Sequence, residues 1–269
     1  MAGLVDLVLF VLVGLFTGTV TGVMSASGVI VVVPILTLLF GLSVHMAIGT
    51  SLAVDVIASV VVAYTYYQHK NVDLRPGVWV ALGAVVGAQV GSRLVTGIPD
   101  LGLGDVFGIS MIIGGMVLWK QGFFTNFERY RELLERAGIN FQEIEEKWRF
   151  LISLTAGLVI GILSGIFGAG GGIWVMVVLV FILGYQLHLA VGTSTLIMAA
   201  IAFSGSIGYA FNGNVDVLKA LAVGFGAVLG GRTVAKIANR VSEEKLSKII
   251  GLIFAVLGFL MILLGHVKA

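Results

Sequence analysis

The chain contains itself twice. Gly14, Gly18 and Gly22 are followed by Gly41, His45, Ala47 and the run Gly49-Thr50-Ser51. The same types return at Gly157, Gly161 and Gly165, then Gly184, His188, Ala190 and Gly192-Thr193-Ser194. Asn71-Val72-Asp73 and Asn214-Val215-Asp216 keep the same separation of 143 residues, as do Gly87 and Gly230. A gap-free register that reproduces Gly, His, Thr and Asn marks an internal duplication, because chance apolar similarity would not repeat polar positions.

Each copy must therefore bury the same pattern, and that pattern is overwhelmingly apolar. Hydrophobic residues make up 58% of the chain and charged residues 11%. The charged share is about half that of a soluble domain. Apolar runs separated by short polar breaks define an all-α polytopic membrane protein rather than a barrel. Five runs fall in each copy: 3–23, 28–41, 44–67, 76–98 and 102–119, then 150–169, 171–185, 187–211, 217–238 and 246–266. Most approach the roughly 20 residues that span a hydrocarbon core. The second run of each copy is shorter and follows a Gly/Ser-rich turn. Each copy is thus expected to begin with a broken or re-entrant helix, tolerated only where protein or a watery cavity satisfies the freed backbone.

The first run has no Lys or Arg before it and carries Asp6, so it reads as a retained membrane segment rather than a signal peptide. Basic residues set the expected orientation. Lys70 and Arg75 follow the third run of the first copy. In the second copy the basic group (Arg232, Lys236, Arg240, Lys245, Lys248) follows the fourth. Placing both groups and the linker in the cytoplasm requires an odd number of crossings per copy. The expectation is two inverted-topology repeats in the cell membrane, residues 1–120 and 150–269, with both termini outside. The linker 121–149 is cytoplasmic and amphipathic, opening on a capping box at Thr125-Asn-Phe-Glu128.

Net charge is +2 and cysteine is absent, so no nucleic-acid partner, disulfide or thiolate metal site is implied. No metal or cofactor is expected, nor catalysis. The expected partners are the lipid bilayer and a small anion, with self-association left open.

The glycines divide into two kinds. Gly14, Gly18, Gly22 and Gly157, Gly161, Gly165 have the small-xxx-small spacing of closely packed helices. Gly168 to Gly172 instead hold four glycines in five residues, each costing about 1 kcal/mol in helix propensity. Gly170, Gly171 and Gly172 therefore bare backbone N–H groups at the start of a half-helix, an anion-attracting arrangement. The first copy offers Ser25, Ser27 and Gly28 there, adding two hydroxyls. Thr50, Ser51, Thr193 and Ser194 lie beside the breaks and complete the candidate binding set, although such hydroxyls often bond their own backbone. Asp55, in the middle of the third run and matched by Met198, is a costly carboxylate at membrane depth and the candidate for proton coupling. Arg232 and its match Gln89, with His45 and His188, are secondary candidates: Arg232 can snorkel to the interface and the histidines can titrate near neutral pH.

The Gly-rich turn, the short run, Gly41 and Gly184, Ala47-x-Gly49-Thr50-Ser51, Ala190-x-Gly192-Thr193-Ser194 and the two Asn-Val-Asp triplets together resemble the TauE/SafE sulfite exporter family. Pro34 fits the same pattern. The resemblance covers nearly all of the membrane part and implies transport, commonly outward, of sulfite, sulfonates or related sulfur anions. Two other activities fit the residues: an anion channel of the same fold, and an intramembrane serine hydrolase using Ser27 with a histidine.

Overall fold

The computed structural model describes residues 3–73, 77–99, 146–168, 171–183 and 185–237, with single helical positions between 102 and 116 and between 252 and 263. Its helices are α1 (Leu4–Met24), α2 (Val29–Leu38), α3 (Val44–Gln68) and α4 (Val78–Leu94), the last continuing into a 3-10 turn, Val95–Gly97. The second copy gives α5 (Glu146–Phe167), α6 (Gly172–Phe181), α7 (Leu187–Phe211) and α8 (Val217–Ile237). Among the described residues there is no strand. The bounds of α2 and α6, and of α3 and α7, keep the spacing of the sequence repeat residue for residue. The described part of α5 reaches back to Glu146, within the expected linker. Linker residues 121–145, including Thr125 to Glu128, lie outside the described residues.

Among the described residues, five helices are long and apolar enough to cross a membrane: α1, α3, α5, α7 and α8. Helix α4 is apolar but shorter. Helices α2 and α6, at 10 residues each, are about 15 Å long, half of the roughly 30 Å hydrocarbon thickness. Val29, Val32, Val33 and Leu36 of α2 and Val175, Met176 and Leu179 of α6 are fully buried, while Trp174 of α6 is exposed, so each short helix turns one face to the interior.

Around them the glycine triplets make two seams. A Cβ at Gly14, Gly18 or Gly22 would fall on or beside the carbonyl oxygens of Val223, Ala227 and Gly231 in α8. A Cβ at Gly157, Gly161 or Gly165 would meet those of Val80, Ala84 and Ala88 in α4. Both seams are parallel, since residue numbers rise together along each. Both are also exchanged: the first helix of each copy packs on the fourth helix of the other. Glycine allows the backbone contact, and the dispersion gained along the seam replaces the hydrophobic drive that lipid does not provide. The outward faces carry Leu82, Val86, Leu158, Leu163, Leu221 and Phe225, the apolar surface lipid requires.

The third helices join the copies. Leu52 of α3 lies against Gly205 of α7, while Gly49 near the start of α3 meets Tyr209 and Asn214 at the end of α7. The repeat-related contact of Gly192 with Tyr66 and Asn71 is also present. Helices α3 and α7 therefore run antiparallel. The motifs Gly-Thr-Ser and Asn-Val-Asp meet across this pairing. The Asp73 N–H donates to Thr193 Oγ1 at 3.0 Å, and the Asp216 N–H donates to Thr50 Oγ1 at 2.9 Å. At the second of these loops Asp216 pairs with Lys219. Burial acts to raise the Asp216 carboxyl, but the Lys219 ammonium and neighbouring backbone N–H groups outweigh it and hold the carboxyl below its ordinary range.

Candidate functional site

Helix α1 stops at Met24 because Ser25 turns left-handed, with φ of 53°. The carbonyls it strands are taken up nearby. Tyr66 Oη donates to the Gly22 carbonyl at 3.0 Å, and Thr21 Oγ1 donates to the Ala26 carbonyl at 3.0 Å. In the second copy Tyr209 Oη donates to the Ile166 carbonyl at 3.2 Å. There the left-handed positions are Gly168 and Gly171, both with φ of 67°. The tyrosines, 143 residues apart, were legible as part of the repeat but not as caps of the stranded helix ends.

The start of α2 is capped from α3. Ser27 Oγ donates to Asp55 Oδ2, and the Gly28 N–H donates to Asp55 Oδ1 at 3.2 Å. The Val29 N–H in turn donates to Ser27 Oγ at 3.2 Å. Asp55 is fully buried and is the one charged side chain among the buried described residues. A carboxylate at a helix N-terminus, bonded by a hydroxyl and an amide, recovers part of the hydration it has lost. The sequence placed Asp55 at mid-depth; its pairing with a break 27 residues earlier is set by tertiary packing.

At α6 the same positions are filled differently. Gly170, which replaces Ser27, lies outside the described residues, and Asp55 is replaced by Met198. Among the described residues, no side chain is seen to bond the Gly171 or Gly172 N–H as Asp55 and Ser27 bond those of Gly28 and Val29. A Cβ at Gly172 would fall on the Ser25 carbonyl oxygen, 2.7 Å from Met198 Sδ and 2.8 Å from Ser25 Oγ. A Cβ at Gly171 would lie 2.5 Å from Ser164 Oγ and 2.8 Å from Ile160 Cγ2. The first break thus touches the start of α6. In the reverse direction, a Cβ at Gly168 would lie 3.2 Å from Val29 Cγ2 at the start of α2. Ser25 Oγ is fully buried and has no hydrogen-bond partner among the described residues.

The other candidates lie elsewhere. Thr50 and Thr193 hold the loops of the opposite copy, as described above. Ser51 Oγ is buried without a partner, while Ser194 Oγ donates to the Val191 carbonyl at 3.1 Å. Gln89 faces α7, its side-chain oxygen 3.5 Å from Ser204 Oγ, which donates to the Val85 carbonyl at 2.8 Å. His45 Nε2 is 3.1 Å from the Val95 carbonyl oxygen. His188 and Arg232 are exposed. Thr17 and Ser164, not singled out from the sequence, both flank a break: Thr17 beside Gly28 and Ser164 beside Gly171.

The described helices, apolar at their rims, with a buried polar centre where the turns before the two short helices meet, define a multi-pass membrane protein. Comparison with known proteins fixes its family. Residues 10–261 match the model described as Sulfite exporter TauE/SafE, and the chain belongs to that family of membrane transporters. It is 31% identical to the probable membrane transporter protein YdhB of Bacillus subtilis, over 94% of this chain and 99% of that one. It is 26% identical to the probable membrane transporter protein MJ0441 of Methanocaldococcus jannaschii, over 95% of each. No solved structure shows a significant match.

Proposed function

We propose that the protein is a secondary transporter that exports a small sulfur-containing oxyanion such as sulfite or an organosulfonate. The observation that carries this reading is the meeting of the two helix breaks at the buried centre, with Ser25 seated against the bare N-terminus of α6. Backbone N–H groups and hydroxyls there offer hydrogen bonds to an anion without a fixed cation, so release costs no ion pair. Ser25, Ser27, Gly28, Gly171 and Gly172 frame the site. Thr50, Thr193 and Ser194 serve it through the helices and loops they hold.

The antiparallel run of the repeat-related helices α3 and α7 supports inverted repeats, since the axis relating them lies across the helices and hence in the membrane plane. Two inverted copies exchanging seams can rock about a central site. Asp55 is the proton-coupling group of this reading: a proton on its carboxylate replaces a charge at the α2 N-terminus with a neutral group, changing the field an anion meets. The experiment is flux in liposomes containing the purified protein, with sulfite, thiosulfate, sulfate and methanesulfonate offered in turn. Saturable uptake accelerated by counterflow and by a pH gradient is expected for at least one, with the gradient response lost in Asp55→Asn. No flux of any of them would overturn the reading, and flux without saturation or counterflow would replace it with a channel.

A further inference from the structure

The two breaks have the same backbone plan but different electrostatics. At α2, the Gly28 N–H is met by Asp55 Oδ1 and the Val29 N–H by Ser27 Oγ. Their counterparts at α6 are the N–H groups of Gly171 and Gly172. The two acceptors do not return there: the chain has Gly170 for Ser27 and Met198 for Asp55. What faces the α6 end instead is Ser25, its hydroxyl fully buried and unpartnered. Unpartnered buried hydroxyls are costly in native structures, and this one lies at the start of α6, 2.8 Å from where a Cβ on Gly172 would stand.

We propose that the Asp55 carboxylate, in its unprotonated state, is a tethered anion that fills the α2 N-terminus, leaving the α6 N-terminus with the Ser25 hydroxyl as the site for one singly charged oxyanion. This rests on the transport reading above and names the charge class of its ligand. Asp55 is the template for what α6 receives: one negative charge and two oxygens, served by one hydroxyl and one backbone N–H. The walls support a single charge. Met198, Ile160 and Ile201 line the α6 end together with the Ser164 hydroxyl, and no Lys or Arg is among the buried described residues. A helix N-terminus supplies roughly half a positive charge, which cannot offset a dianion stripped of water in such surroundings. Whenever Asp55 is ionised, its charge adds repulsion that also falls more heavily on a dianion.

The test is calorimetric titration of the purified full chain in detergent, with methanesulfonate as the single-charge probe and sulfate as the double-charge probe. Wild type is expected to bind one methanesulfonate per chain and sulfate at least tenfold more weakly. Ser25→Ala should weaken methanesulfonate about tenfold, the loss of one hydrogen bond to a charged group. Asp55→Asn should bind two per chain. Met198→Asp, which places a tethered carboxylate at α6, should lose binding, while the neutral Met198→Asn keeps it. The two designs act on different helices, so misfolding of one, seen by gel filtration, leaves the other decisive. If wild type binds neither probe, nor sulfite or thiosulfate, the transport reading fails. If wild type binds but Met198→Asp binds equally well, or Asp55→Asn still takes one ion with unchanged affinity, the tethered anion alone is overturned. Sulfate binding as tight as methanesulfonate overturns the charge class.

Discussion

At Thr193 one hydroxyl serves both backbone groups of Asp73, accepting from its N–H at 3.0 Å and donating to its carbonyl at 3.3 Å. Tyr185 Oη donates to the same carbonyl at 2.8 Å. A loop of the first copy is thereby fastened to two residues of the second. Thr193→Val keeps the shape and removes the hydroxyl, so it should lower stability by about 1 kcal/mol, read as a drop in the melting temperature in detergent. Thr193→Ser should retain most of it. Equal melting of the two variants would mean that the loop is held by other contacts. Residues such as this one set a limit on sequence reading. Repetition showed that Gly-Thr-Ser and Asn-Val-Asp matter in both copies, but spacing along one chain cannot show that each motif's partner is the other motif in the other copy. Asp55 is the same case: its cost at membrane depth is legible, and the break it caps is not.

Helices were more legible than contacts. The short second run of each copy, the apolar third run and the glycine spacing are local properties of the chain, and the helices end within a few residues of where the runs do. The fourth run of the first copy, 76–98, is observed as a helix ending at Leu94 with a 3-10 turn behind it, because the pattern carries no signal for a change of pitch. Glycine spacing marks a face that packs closely without naming what packs there. The seams give that spacing a measurable consequence. Gly161→Ala would place a methyl group on the Ala84 carbonyl oxygen, forcing α4 and α5 apart at a cost of about 1–3 kcal/mol. Gly97→Ala meets nothing within 4 Å and should leave the melting temperature unchanged. Similar tolerance at both glycines would show that the seam yields.

For the molecule as a whole, the inverted arrangement is open to direct measurement because the chain has no cysteine. A single cysteine at Asn140 is expected to react with an impermeant maleimide only from the cytoplasm, and one at the exposed Asn212 only from outside. Reaction of both from the same side would rule out the inversion.

The exchanged seams bear on how such a chain is made. Among the described helices α1 is synthesised first and α8 last, yet they are each other's close-packed neighbours. Until the ribosome has delivered α8, the glycine face of α1 has no mate, and α2, too short to span, has no finished interior to enter. Helix α4 finds its mate as soon as α5 follows it. Assembly in the membrane is therefore ordered: the α4–α5 seam, which straddles the junction between the copies, closes first. The seam between the two ends of the chain closes last and locks the breaks at the centre.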